Sequence, residues 1–367
     1  MTSYSPLLLA VASHGLLGSR HAFPDHLLSD REFDRLLKDL IAHRFLGLAV
    51  SALAVSRLRL TDEQSDQLVG AHTDSMCACL LMEARLLEIS ETFDPAGVDL
   101  RVIKGPAAAH LDYADSSLRS FGDLDILVRS ESFDRAVTLL EGLGFRRQVP
   151  QIREGFDRRF GKGATFLDDS RGLWVDLHRT FVMGPLGLRV NETQLWDGVE
   201  YFALARREVP ALPPTQRLLV ASYNAVLGDP VPRLSTIRDI AQLVLSGEIV
   251  MVEALAMARA WQASHVLALA VRAAWQHLDI ADVVGLSAWA ESYDLTREEQ
   301  RQVALYHDSG IGYSGLAWAA ARMLPMRDRM AFLRALAFPE GGRLGADGWG
   351  LAQRVRRAAR GYVRSSR

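Results

Sequence analysis

The spacing of apolar residues changes near residue 96 and changes back near residue 209, and this constrains the fold more than any other feature. Residues 1–95 and 209–340 carry apolar side chains at helical spacing. Between them, residues 96–208 contain short alternating runs bounded by glycine, which predict strands interleaved with helices. The sequence therefore predicts an α+β protein, with a small mixed β-sheet core between N-terminal and C-terminal all-helical regions. A basic tail, 341–367, follows, and disorder is its simplest interpretation.

Several segments of the central region have a clear pattern. GVDLRVIKG and FGDLDILV predict two strands, FRRQVP a third, and ATFLDDSRGLWVDLHRTF a hairpin that turns at 169–172. SESFDRAVTLLEGLGF predicts an amphipathic helix with Ser132 as its N-cap and Gly142 or Gly144 at its end. The arginine-containing segment QIREGFDRRFGKG is predicted to be a polar loop.

Composition narrows the class of protein. The chain has 367 residues, 49% of them hydrophobic and 23% charged, which is ordinary for a globular protein. With a formal net charge of −2, the protein has no overall positive field that would attract nucleic acid or an anionic membrane. Cys77 and Cys79 share a predicted helix, and no disulfide or metal site is predicted for them. No apolar run reaches the roughly 18–20 residues of a membrane span, so we expect a cytoplasmic protein that does not enter a membrane.

Two acidic residues interrupt the apolar run FGDLDILV. In a strand, Asp123 and Asp125 point to the same face, where two like charges repel each other. A cation between them would remove this cost, and Mg²⁺ prefers carboxylates and substrate phosphates. Two-metal phosphoryl chemistry calls for a third carboxylate, and LWVDLH places Asp176 and His178 together on one face in the same way. If the two strands are neighbours, the three aspartates converge.

A phosphate site is expected beside such a metal site. VIKGPAAAHL runs from strand to turn to helix, with Gly105 in the turn and Pro106 suited to the first helical position. The amino end of a helix attracts anions through its free N–H groups and its dipole. Lys104 and Arg119 are placed to add positive charge.

Together these motifs resemble the nucleotidyltransferase core of the DNA polymerase β superfamily, and more closely a bacterial family of uncharacterised nucleotidyltransferases. The matching elements are VIKGPAAAHL, Arg119 followed by DLDILV, LEGLGF and VDLHR, within residues 40–245. The resemblance implies Mg²⁺ or Mn²⁺ as cofactor and an NTP as co-substrate. It implies that Asp123 and Asp125 ligate the metal and that Asp176, the third carboxylate, ligates it on the nucleophile side. These three are the candidate catalytic residues.

The candidate nucleotide-binding residues are Lys104, Gly105, Arg119 and His178. The resemblance implies that Gly105 approaches the phosphates and that Arg119 faces phosphate or braces the turn. His178 is interpreted as a base, a nucleotide contact or a neighbour of Asp176. The chain departs from the superfamily at Gly105-Pro106, where Gly-Gly or Gly-Ser is usual, so a hydroxyl and an N–H are missing.

Further along the chain, where the family often has a histidine and an Arg-Leu…Asp-Leu element, this sequence has Asn224, Arg233 and Asp239. An ordinary helix surface is the alternative interpretation of Arg233, Arg238 and Asp239.

The sequence thus predicts transfer of an NMP from an NTP to a hydroxyl or phosphate of a small-molecule, peptide or natural-product acceptor. Near-neutral charge disfavours long nucleic acid, which needs clustered Lys or Arg. Two alternatives stay open. A toxin-like tRNA nucleotidyltransferase would use the basic tail and the loop that carries Arg158, Arg159 and Lys162. A catalytically degenerate protein would only bind a nucleotide or a partner. The oligomeric state is not predicted.

Overall fold

The computed structural model describes residues 4–281, 285–307, 312–338 and 340. The predicted basic tail, 341–367, lies outside the described residues. Before the sheet, the chain forms four helices, as predicted: α1 Pro6–Ala12, α2 Asp30–His43, α3 Leu46–Ala54 and α4 Asp62–Phe93. Capping boxes begin α2 and α4, because Ser29 pairs with Glu32 and Thr61 with Gln64.

A seven-stranded mixed sheet follows, in the order β3-β4-β5-β2-β1-β7-β6. Its strands are β1 Leu100–Val102, β2 Leu124–Val128, β3 Arg146–Arg147, β4 Gly163–Asp168, β5 Leu173–His178, β6 Glu200–Leu204 and β7 Arg207–Ala211. The pairs β2–β5 and β1–β7 are parallel, and the other neighbours are antiparallel. The α+β class predicted from the sequence is confirmed.

The remaining helices pack around the sheet and continue after it. They are α5 Pro106–Leu111, α6 Phe133–Gly142, α7 Phe156–Phe160, α8 Gly184–Leu188, α9 Glu192–Leu195, α10 Pro214–Leu227, α11 Leu234–Leu245, α12 Met251–Ala260, α13 Ser264–Leu278, α14 Gly285–Ser292, α15 Arg297–His307, α16 Gly312–Met323 and α17 Met326–Ala337. Short 3-10 turns occur at Asp94–Ala96, Ser116–Leu118 and Ser130–Ser132. In the described part of the chain, no helix combines the length and apolar character that a bilayer crossing requires.

The structure contains one hairpin that was not predicted and differs from two local predictions. The hairpin β6–β7 was not predicted, and its turn is made by Ala205 at φ 51° rather than by glycine. The predicted polar loop contains α7, because Phe156 packs against Phe332 of α17. Ser132 precedes α6 but its side chain makes no capping hydrogen bond. The regional boundaries drawn from the sequence stay a prediction.

The helices that precede the sheet in sequence and the helices that follow it share one apolar core. Leu8, Phe45 and Ala52 of the N-terminal helices belong to the same buried cluster as Tyr223 and Leu278 of the C-terminal ones. A second cluster fills the space between the sheet and the helices α4 and α6. The sheet is therefore inserted, in sequence, between two halves of a single helical body.

Candidate active site

The centre of the sheet brings two of the predicted carboxylates side by side. In the parallel pair β2–β5, Asp125 lies opposite Asp176 and Leu127 lies opposite His178. On the other side of β5, Thr165 of β4 faces Asp176, and its Oγ1 donates to Asp176 Oδ1 at 2.6 Å. The condition for convergence, that the two strands are neighbours, is met for this pair.

Asp125 is the most enclosed of the three aspartates. It is 6% exposed, and its Oδ1 accepts from His178 Nε2 at 2.7 Å and from Lys104 Nζ at 3.2 Å. His178 itself is 1% exposed. The hydrogen bond of His178 is therefore made with Asp125, whereas one of its three sequence-based interpretations made it a neighbour of Asp176. Lys104 lies at the same carboxylate, on the cleft side.

Electrostatics fix the protonation of this group. Burial by itself would raise the pKa of the Asp125 carboxyl, but Lys104, His178 and Lys162 outweigh burial and hold that pKa below its usual range. Burial lowers the pKa of His178, and Lys162 adds to this effect. An ionised carboxylate only accepts, so we assign the proton of the neutral imidazole to Nε2. His178 Nδ1 is buried and has no partner among the described residues.

The donor atoms suit a hard divalent cation. One ligand atom each from Asp125, Asp176 and His178 lies within 4.8 Å of the others. Each carboxylate also has one oxygen, Oδ1, held by a neighbour, while Oδ2 receives no hydrogen bond from any described residue. Carboxylate oxygens are the ligands that Mg²⁺ and Mn²⁺ prefer. The residues therefore fit the metal implied by the resemblance, although the group does not include Asp123.

Asp123 lies one residue before β2 and is held from another part of the chain. Arg44 Nη1 donates to its Oδ1 at 3.2 Å, across 79 residues of sequence. Burial lowers the pKa of Arg44, Asp123 raises it, and the charges of Arg119 and Arg233 lower it again. Arg44, which directly follows α2, was not among the predicted site residues, because nothing in the sequence pattern distinguishes it from the exposed Arg35.

The Gly105 turn offers few free backbone N–H groups to an anion. Gly105 has φ 55°, and a Cβ there would lie 3.3 Å from the carbonyl oxygen of Asp123, so glycine suits this close approach. Pro106 begins α5 and has no N–H. The N–H of Ala107 already donates to the carbonyl oxygen of Lys104 at 3.2 Å. Positive charge near the aspartates therefore comes mainly from side chains.

Arg119 is paired with Asp239 of α11 rather than with the candidate metal ligands. Its Nε and Nη2 donate to the two carboxylate oxygens at 3.0 Å and 2.9 Å, and Tyr113 Oη donates to Asp239 Oδ1 at 2.7 Å. Arg119 and Asp239 are 6% and 8% exposed, and Arg238 is also buried. The helix-surface interpretation of Asp239 and Arg238 is therefore wrong. Arg119 braces the segment before β2 against α11.

A cleft between the sheet and the helices α10 and α11 contains these groups. The cationic residues lining it are Arg44, Lys104, Arg119, Lys162, Arg217 and Arg233. Arg119 and Arg217 are committed to the buried acids Asp239 and Asp112. The side chains of Lys162 and Arg233 form no hydrogen bond or ion pair with any described residue. Asn224, also in the cleft wall, donates to Thr236 Oγ1 at 3.2 Å.

Lys162 differs from the other basic residues of the predicted loop. Arg158 pairs with Asp134 and Arg159 with Asp328. The carbonyl oxygen of Lys162 accepts from the N–H groups of Arg179 and Thr180, so its backbone is fixed beside the end of β5. Lys162 thereby faces the candidate metal ligands, and burial lowers the pKa of its ammonium group.

Comparisons with known proteins identify the family of this chain. The sequence profile of one family, described as uncharacterised nucleotidyltransferase, matches residues 29–279, which is more than half of the chain. A search of curated proteins finds no significant match.

Two solved structures are similar in part. A solution structure of the antibiotic-resistance factor ANT(2'')-Ia is 15% identical over 52% of this chain and 95% of that one, with a TM-score of 0.36. A crystal structure of an antigenic nucleotidyltransferase-like protein from Paracoccidioides brasiliensis is 15% identical over 55% of this chain and 93% of that one, with a TM-score of 0.34. Both likenesses are too distant to carry a function across.

Proposed function

We propose, from the premise that this chain belongs to the uncharacterised nucleotidyltransferase family and is therefore a transferase, that it moves an NMP group from an NTP to an acceptor. The acceptor is a hydroxyl or phosphate of a small molecule, peptide or natural product, and pyrophosphate leaves. The observation that carries the proposal is the β2–β5 pairing, which sets Asp125 beside Asp176 at the base of a cleft lined by cations.

Asp125 and Asp176 would hold a Mg²⁺ or Mn²⁺ ion, with Asp123 as the third ligand. When bound, such an ion would neutralise phosphate charge and stabilise the leaving pyrophosphate. Because Nε2 of the neutral His178 donates to one oxygen of Asp125, it orients the other oxygen for binding. His178 is thus a positioning residue in this proposal.

Two further residues have roles beside the aspartates. Thr165 holds one oxygen of Asp176, so the other oxygen is placed to accept the proton of the acceptor hydroxyl as it attacks the α-phosphorus. Lys162, which has no partner among the described residues, would contact the phosphates of the nucleotide. Most of the rate enhancement would come from positioning and charge neutralisation.

One observation favours a second candidate, a protein that binds a nucleotide without transferring it. The Gly105-Pro106 turn offers few N–H donors to a triphosphate, as described above. The tRNA alternative depended in part on the arginine-rich loop, and its three arginines, Arg153, Arg158 and Arg159, all form ion pairs. A cytoplasmic location and the acceptor class stay predictions.

The test is pyrophosphate release from each of the four NTPs with Mg²⁺ or Mn²⁺, with a cell extract as the source of acceptor. We expect Asp125→Asn and Asp176→Asn each to reduce release by about 100-fold or more while the far-UV circular dichroism spectrum is unchanged. Asp169→Asn is the matched control, because Asp169 lies in the exposed β4–β5 turn and, among the described residues, forms its ion pair with Arg146 alone. Equal release by all four proteins would refute the site. Binding of NTP without release would favour the second candidate.

A further inference from the structure

The end of α2 meets the start of α11 beside the cleft. His43 Nδ1 accepts a hydrogen bond from the N–H of Leu234 at 3.2 Å, across 191 residues of sequence. Tyr4 fastens the same contact, since its Oη donates to the carbonyl oxygen of Pro232 at 2.6 Å and its ring lies edge-on to His43. The residues next to this hydrogen bond are Arg44 and Arg233, and both line the cleft.

Arg44 has an unusual backbone and a tight environment. It ends α2 in the left-handed region at φ 64°, a conformation that costs energy for a residue other than glycine. This conformation directs the guanidinium to Asp123 and across the backbone of Gly122. A Cβ at position 122 would lie only 3.1 Å from Arg44 Nη2, so the glycine makes room for the guanidinium. The side chain of Arg44 is 20% exposed, so it stays accessible from the cleft.

The pairing of Arg44 is exchangeable, unlike those of Arg119 and Arg217. It makes one hydrogen bond to a carboxylate that is 39% exposed and that the proposed function assigns to a metal. Arg233 has no side-chain partner among the described residues. The two guanidinium groups therefore offer planar pairs of N–H donors that an incoming phosphate can engage. The Gly105 turn lacks such donors, so the triphosphate needs them from elsewhere.

We infer that Arg44 and Arg233 form the site for the terminal phosphates of the nucleotide, and that Arg44 leaves Asp123 for phosphate when the nucleotide binds. This inference rests on the proposed function, because it takes a triphosphate as the ligand and Asp123 as a metal ligand. The helical body thus supplies, from both of its sequence halves, donors that the turn before α5 does not provide. A phosphate group on the acceptor has the same chemistry and is distinguished by the test below.

The test is isothermal titration of the full chain with inorganic tripolyphosphate and with ATP and AMP, each in Mg²⁺. The variants are Arg44→Gln, Arg44→Lys and Arg233→Gln, and Arg35→Gln is the matched control on the exposed face of α2. Loss of a charge-assisted hydrogen bond predicts an affinity for tripolyphosphate and ATP about tenfold or more weaker in Arg44→Gln and Arg233→Gln. AMP, which lacks the terminal phosphates, should bind all the proteins equally. Arg44→Lys should recover part of the affinity.

The outcomes separate the two proposals. Unchanged tripolyphosphate affinity in both glutamine variants would overturn the inference, and pyrophosphate release by the wild type would then leave the proposed function standing. Equal losses for AMP and ATP would also overturn it, since they would place the arginines at the nucleoside, the α-phosphate or a phosphorylated acceptor. If the glutamine variants selectively lose tripolyphosphate binding and the wild type releases no pyrophosphate, the result would support the phosphate site and refute transfer. Because Arg233 is exposed, its variant tests the inference even if Arg44→Gln fails to fold.

Discussion

Removal of the Asp239 carboxylate should destabilise the protein strongly, because it would leave the buried guanidinium of Arg119 without a counter-charge. Arg119 donates three hydrogen bonds to this carboxylate, at 3.0, 3.3 and 2.9 Å, and Tyr113 donates a fourth. Asp239→Ala deletes all of them and leaves Arg119, which is 6% exposed, without its counter-charge. Breaking one side of a buried ion pair typically costs about 3–5 kcal/mol.

An exposed ion pair provides a reference for this free-energy cost. Arg146 and Asp169 form a pair with equally good geometry, at 2.6 Å and 2.8 Å, but their side chains are 59% and 54% exposed. Asp169→Ala should therefore cost less than about 1 kcal/mol. The double variant Arg119→Met/Asp239→Ala should be less destabilised than Asp239→Ala alone, since it removes both buried charges together.

The assay is urea unfolding followed by circular dichroism, with the free energies of unfolding compared in a double-mutant cycle. A loss below about 1 kcal/mol for Asp239→Ala would refute the argument that Arg119 serves mainly as a brace. In that case Arg119 would be free to face phosphate, as the resemblance to the polymerase β superfamily allowed. A stable Arg119→Met variant with weakened nucleotide binding would point the same way.

Two further predictions follow from the electrostatics. Lys162→Ala should slow pyrophosphate release about tenfold or more through loss of a phosphate contact, whereas Arg158→Ala, whose partner is Asp134, should not; equal rates in both variants would remove Lys162 from the site. Burial lowers the pKa of a group of histidines, so the unfolded chain takes up protons at a higher pH than the folded protein. The free energy of unfolding of the protein should therefore fall as the pH drops below about 6.5. A free energy that stays constant or rises in urea unfolding from pH 7.5 to 5.5 would contradict this prediction. These histidines are His14, His43, His72, His265 and His277.

The carboxylates of the candidate site could be predicted from the sequence because strand alternation is a local rule. Strand alternation predicts that Asp123 and Asp125 share one face of a strand. It predicts in the same way that Asp176 and His178 share one face of a second strand. The neighbouring positions of β2 and β5 could be stated only as a condition, since strand order depends on packing of the whole sheet. The hydrogen bond from His178 to Asp125 depends on that order, so the sequence left the partner of His178 open.

Ion-pair partners that come from distant segments of the chain could not be predicted from local sequence patterns. Arg44 meets Asp123, and Arg119 meets Asp239, through contacts 79 and 120 residues apart in sequence. The hairpin β6–β7 lacks a glycine turn and contains Pro210, which weakens the usual signals for a strand. The helix α7 is short, and its aromatic residues Phe156 and Phe160 pack against Phe332 of α17, which is distant in sequence.

The shared core of the two helical halves has a consequence during synthesis on the ribosome. The apolar core that contains residues of α1–α3 also contains residues of α13 as far as Leu278, so this core is incomplete until that residue has emerged. At about 5–20 residues per second, the interval from Ala52 to Leu278 lasts on the order of 10–45 s. Throughout it, the nascent chain exposes an apolar surface of the kind that chaperones bind. Expression of this protein should therefore depend on translation rate and chaperone supply more than its final composition would suggest.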